Sequence, residues 1–156
     1  MGVEDGLTGE RMAFSSTRDA AFVLSALLFN VLVSAVYVST KLDLTALRQA
    51  SGLVIVSLIV PFALTLRGYV REGVERKIVI SNTVVLLYLV LELLLDYVLK
   101  IPFREMLAIH VPYIVVFYAA EFSMMSVSFH IGRRAGYAVA ATFCVLLGCL
   151  AYLYLG

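Results

Sequence analysis

The chain has 156 residues, 62% of them hydrophobic and 15% charged, with a mean hydropathy of +0.99. A soluble domain carries about 25% charged residues, and a chain this short has too little interior to hide so much apolar surface, so the excess must face lipid. The formal net charge of +1 gives no electrostatic case for nucleic acid, and Cys144 and Cys149, with no CxxC or Cys/His cluster, give a metal no thiolate support, so no metal or other cofactor is expected.

Residues 1–19 are polar and mixed in charge, and read as a cytoplasmic tail rather than a signal peptide. Residues 20–156 read as one transmembrane domain. A spanning helix needs about 20 mostly apolar residues, and five stretches qualify or nearly so. The first runs from Ala20 to about Thr40, behind a Ser15-Ser16-Thr17 cluster that resembles a capping signal with Asp19. The second runs from about Gly52 to Tyr69 and contains Pro61, which should kink it. The third runs from about Ile78 to Val98, the fourth from about Met106 to Ile131, and the fifth from Tyr137 to Leu155.

Two connections have character of their own. Arg71–Glu75 and Glu72–Arg76 form (i, i+4) pairs, which predicts helix continuing past the membrane. Gly132-Arg133-Arg134-Ala135-Gly136 reads as a tight turn with glycine free for a left-handed cap.

Five spans put Arg11, Arg18, Arg67, Arg71, Arg76, Lys77, Arg133 and Arg134 on one side, against Lys41, Arg48, Lys100 and Arg104 on the other. Positive charge favours the cytoplasm. The expected protein is therefore an all-α, polytopic bundle of five transmembrane helices, N-terminus cytoplasmic and C-terminus outside, in the cell membrane of a prokaryote. Tyr37, Tyr97, Tyr113, Tyr152 and Tyr154 then fall near the outer interface, where tyrosine commonly anchors.

Charges inside spanning helices are costly and usually face the bundle interior. Glu92 and Asp96 lie four apart on the third span, with Tyr88 and Lys100 extending the stripe. An Asp96–Lys100 ion pair at the interface is the plain structural reading. His110, Phe117, Glu121 and Ser128 share a stripe on the fourth span, and Asn30 sits mid-way along the first. Antiparallel packing sets Asp96 level with His110 and Glu92 within about two turns of Glu121. Glu92, Glu121, Asp96, His110 and Asn30 are accordingly the candidate ligand-binding, ion-binding or proton-coupling residues.

Burial disfavours the charged form of a carboxylate. Such a group suits proton or small-cation carriage, pairing with a cationic ligand, or acid–base work on a lipid substrate. No phosphate-cradling glycine loop, HExxH or GxSxG motif accompanies it. The leading expectation is a proton- or cation-coupled transporter or channel-like protein. One five-helix chain is small for a wide aqueous path, so a homo-oligomer is expected. A membrane-embedded enzyme or binding protein for a lipid-like ligand comes second, and an accessory subunit third. Ala140, Cys144 and Gly148 on the fifth span form a small-residue face suited to helix packing or assembly.

Overall fold

A computed structural model of the chain describes residues 17–155. It is all helical: α1 (Thr17–Lys41), α2 (Thr45–Ser57), α3 (Ile59–Glu72), α4 (Arg76–Glu92), α5 (Leu107–Ile131) and α6 (Arg133–Leu155). Two smaller elements follow α4, a widened helical turn over Leu93–Val98 and a single 3-10 turn over Phe103–Glu105. Five stretches are long and apolar enough to cross a membrane: Thr17–Lys41, Thr45–Glu72, Arg76–Val98, Leu107–Ile131 and Arg133–Leu155. Residues 1–16 of the polar tail, Ser16 included, lie outside the described residues, and 17–19 form the first turn of α1.

Each span packs on its sequence neighbours, and α1 also packs on α6, so the five spans close into a ring. Apolar residues remain exposed on every span, among them Leu24, Val60, Ile80, Val115 and Val145. That is the surface a lipid environment requires. The interior is aromatic and aliphatic. Phe22 and Phe62 meet edge to face at 5.4 Å, and Leu89, Met124 and Leu146 are fully buried. Polar side chains tie helices across it. Asn30 Nδ2 donates to Thr142 Oγ1 (2.9 Å) and Val139 O (3.3 Å) on α6, and Asn82 Nδ2 donates to Thr65 Oγ1 (3.1 Å).

The second span breaks three residues before Pro61. Pro61 has no N–H to offer the Ser57 carbonyl one turn back. The Leu58 N–H is shared between Val54 O (3.2 Å) and Ile55 O (3.1 Å), and α3 restarts at Ile59. The span also begins earlier than its apolar run, at Thr45, because Arg48 and Gln49 are helical.

At the end of the ring that carries the α3–α4 and α5–α6 connections, here the lower end, Arg18 pairs with Glu72 at 2.6 Å and lies 4.7 Å over the Tyr69 ring. Tyr69 in turn donates to Asp19 Oδ1 (2.9 Å). The helical continuation expected past residue 72 does not form. Gly73 has φ 64°, its N–H reaches Val70 O, and the Val74 N–H reaches Tyr69 O, a Schellman stop that overrides the charge pairs. Gly73→Ala should cost about 1 kcal/mol, because a Cβ penalises the left-handed region. Thermal unfolding in detergent reads this, and an unchanged midpoint would contradict it. Gly132, by contrast, has φ 178°, so the expected left-handed cap there is an extended residue, and Gly136 belongs to α6. On α6, Cys144 and Gly148 are exposed, with open space at Gly148.

Candidate functional site

The upper end of the ring, with the α1–α2 and α4–α5 connections, holds the ionisable cluster. Glu92 lies on the last turn of α4, where Tyr113 of α5 donates a hydrogen bond to its Oε2 and Tyr88 Oη a second at 3.3 Å. The two tyrosine hydroxyls lie 2.8 Å apart, so the single Tyr88 proton is shared between Glu92 and the Tyr113 oxygen. The predicted antiparallel pairing of these two spans thus places acid and phenols together.

Beyond Glu92 the helix widens. The Leu99 N–H bonds Leu94 O at 2.8 Å, five residues back, and the Ile101 N–H bonds Leu95 O at 3.1 Å. On a regular α-helix Tyr97 would point about 140° from Glu92. A turn that takes in an extra residue brings Tyr97 round beside Glu92 and Asp96, and all three line one cavity. Tyr97 Oη then lies so near α2 that a Cβ at Gly52 would sit 2.5 Å from it.

The chain leaves the widened turn through Lys100, at φ 51°. Asp96 does not pair with Lys100 as expected. It accepts two hydrogen bonds from Arg104, Nη1 to Oδ1 at 2.8 Å and Nη2 to Oδ2 at 2.9 Å. The left-handed turn at Lys100 and the 3-10 turn at Phe103–Glu105 fold the connection back on itself, which carries Arg104 over Asp96. Arg104 Nη2 also lies 3.7 Å from Glu92 Oε1. Partial burial opposes the Arg104 charge, but its bonds to Asp96 and the nearby carboxylates outweigh this and raise its pKa above the usual arginine range. It is a permanent cation. Phe103, fully buried, wedges beneath it, 4.7 Å from the Tyr113 ring and 6.4 Å from His110.

Below these groups lies a cavity of about 850 Å³ to which every span contributes: Tyr37 and Thr40 of α1, Gln49 and Gly52 of α2, Glu92 and Tyr97, His110 and Tyr118 of α5, and Leu150 and Tyr154 of α6. Its floor is aromatic. Tyr88 meets Phe29 at 5.7 Å and Phe117 at 5.4 Å, and Phe29 lies 6.3 Å from Phe117.

No known protein family, curated protein or solved structure matches the chain.

The five residues singled out from the sequence separate into two groups. Glu92, Asp96 and His110 line the cavity together. His110 stacks on Tyr113 at 6.2 Å, and its Nδ1 is buried without a hydrogen-bond partner. Asn30 faces α6 instead. Glu121 is fully buried one turn below Phe117, outside the lining, and neither carboxyl oxygen has a hydrogen-bond partner. Since Tyr113 meets Glu92, Glu121 lies eight residues further down α5, about 12 Å along the axis.

Sequence reasoning passed over Arg104, Tyr97 and Gln49. Arg104 counted only as a loop charge. Its signal was Pro102 and Phe103 beside it, since an aromatic residue in a short connection needs somewhere to bury.

Proposed function

We propose that this chain is a ligand-binding integral membrane protein whose upper cavity takes an amphipathic small molecule. The observation that carries the reading is the cavity itself. It is large enough for a small organic ligand, lined by apolar and aromatic side chains from all five spans, and crowned by a few convergent polar groups, Glu92, Asp96, Arg104 and His110. An aromatic floor suits a binding pocket better than an open conduit.

The charges support an orientation: among the described residues seven of the 11 Lys and Arg fall at the lower end, which in this reading is cytoplasmic, with the cavity facing outward. A prokaryotic cell membrane is the setting this reading takes. Assembly into a homo-oligomer would use surface outside the ring, such as the exposed α6 face at Cys144 and Gly148.

Filling the cavity tests the reading. Purified protein in detergent, screened by thermal shift against amphipathic small molecules, should gain stability with a subset of them. Val36→Phe, which projects into the space, should remove that gain while leaving the unliganded midpoint within a few degrees. Ligand stabilisation that persists in Val36→Phe places the ligand elsewhere and defeats the proposal.

One observation favours a second reading, transport coupled to a proton or small cation. Glu121 is a third acid, fully buried one turn below Phe117. Phe117, one turn above it on the same helix, lines the cavity. Proteoliposome uptake of a cavity ligand, driven by an imposed proton or sodium gradient and lost in Glu121→Gln, is the result this reading requires.

A further inference from the structure

We infer that the cavity's ligand is an organic cation with an apolar body, and that Arg104 occupies the same charge site when the cavity is empty of it. The inference rests on the reading of the cavity as a ligand site.

Three observations converge. The first is the aromatic wall. Six of the chain's nine tyrosines line this one space: Tyr37, Tyr88, Tyr97, Tyr113, Tyr118 and Tyr154. Tyrosine faces carry negative quadrupole density and attract cations, and enclosure by several such rings is how quaternary ammonium groups are recognised. A purely apolar ligand would be served by leucine and valine, which the chain has in abundance.

The second is the placement of the acids. Glu92 and Asp96 both line the space at its polar end. Glu92 is held by Tyr88 and Tyr113, so its orientation is fixed before any ligand arrives.

The third is what the protein itself places there. The Arg104 guanidinium bonds both oxygens of Asp96, lies 3.7 Å from Glu92, and sits 4.4 Å over the Phe103 ring and 5.9 Å from the Tyr113 ring centre. Two carboxylates and two ring faces around one guanidinium form a cation receptor with a tethered occupant. Arg104 hangs from a surface connection and half its side chain is exposed. An incoming cation takes over Glu92 and the tyrosine faces, while Arg104 swings outward and keeps Asp96.

The geometry makes the opposite ligand class a poor fit. An anion would need Arg104 free, yet its fork is spent on Asp96, and Glu92 would repel the anion's charge.

The test uses the full chain in detergent micelles with two probes of matching shape and opposite charge, tetraphenylphosphonium and tetraphenylborate. Binding is read by equilibrium dialysis, with Val36→Phe as the measure of micelle partitioning. The cation should bind saturably and at least tenfold more tightly than the anion. Glu92→Gln should weaken it about tenfold, and Tyr37→Leu should weaken it severalfold. Arg104→Gln should tighten it severalfold, because the tethered competitor is gone. A site that prefers the anion, or loses the cation in Arg104→Gln, overturns the cation assignment while the cavity reading stands. Binding of neither probe, combined with cavity-dependent stabilisation by a neutral amphiphile, overturns it as well. Failure of Val36→Phe to affect any ligand would instead remove the cavity reading on which it rests.

Discussion

Glu121→Met should stabilise the folded protein by about 2 kcal/mol and, where coupled uptake exists, abolish it. Both Glu121 carboxyl oxygens are buried without a hydrogen-bond partner, in contrast to Glu92, which two tyrosines serve. An unsatisfied buried polar group costs roughly 1–3 kcal/mol, and a side chain of similar length without polar atoms removes that cost at little change in volume. A residue that lowers stability where it stands is the kind that activity retains. Thermal or denaturant unfolding in detergent gives the first readout and proteoliposome uptake the second. A destabilised Glu121→Met would mean that Glu121 has favourable interactions after all. A stabilised variant with full uptake would remove Glu121 from the coupling path and return it to packing.

The second large effect belongs to Phe103→Ala. Phe103 is fully buried although it lies in a connection, and it packs on Tyr113, His110 and the Arg104 guanidinium. Truncation should cost about 3 kcal/mol from lost contacts and the space left behind. It should also loosen Arg104, so the Asp96–Arg104 pair exchanges with solvent more freely and cavity ligands bind and leave faster. Unfolding measurements read the first consequence, and stopped-flow binding reads the second. A loss well under 1 kcal/mol would show that the connection collapses onto the gap, and would deny Phe103 its role as the wedge under Arg104.

Hydropathy located all five spans, because twenty apolar residues in a row admit few other interpretations in so short a chain. It missed the first two turns of the second span, since Arg48 and Gln49 interrupt the apolar run there. Those two residues are exposed and touch the cavity. The meeting of Glu92, Asp96 and His110 was legible from helical spacing plus antiparallel packing of neighbouring spans. Asn30 was not, because a stripe on one helix does not say which neighbour it faces, and this one turned to α6.

The tyrosines show a different limit. Tyr37 and Tyr97 sit at the depth where tyrosine anchors in a membrane, and depth alone assigned them to the lipid boundary. The structure turns both inward to the cavity, while Tyr154 touches its edge and stays largely exposed. For Tyr97 the cause is the widened turn, which leaves no mark on hydropathy; its hydroxyl then abuts Gly52. Arg104 escaped for a related reason. Charges in connections were weighed for topology, and only the fold-back through Lys100 reveals the Asp96 contact.

The ring closes through contacts between its first and last members, and Asn30 bonds Thr142 across 112 positions of sequence. α1 also meets α4 and α5 through Phe29, so the α1–α6 seam is the contact of longest sequence range rather than the only one between non-neighbours. The first four spans can therefore pack on one another without α6, which leaves the α6-facing side of α1 uncovered. Asn30 Nδ2 finds its acceptors only on α6, and without them an unmet donor among apolar side chains is costly. The last helix therefore supplies both acceptors of the Asn30 amide, and a chain truncated before Val139 would leave that donor unmet in the apolar interior.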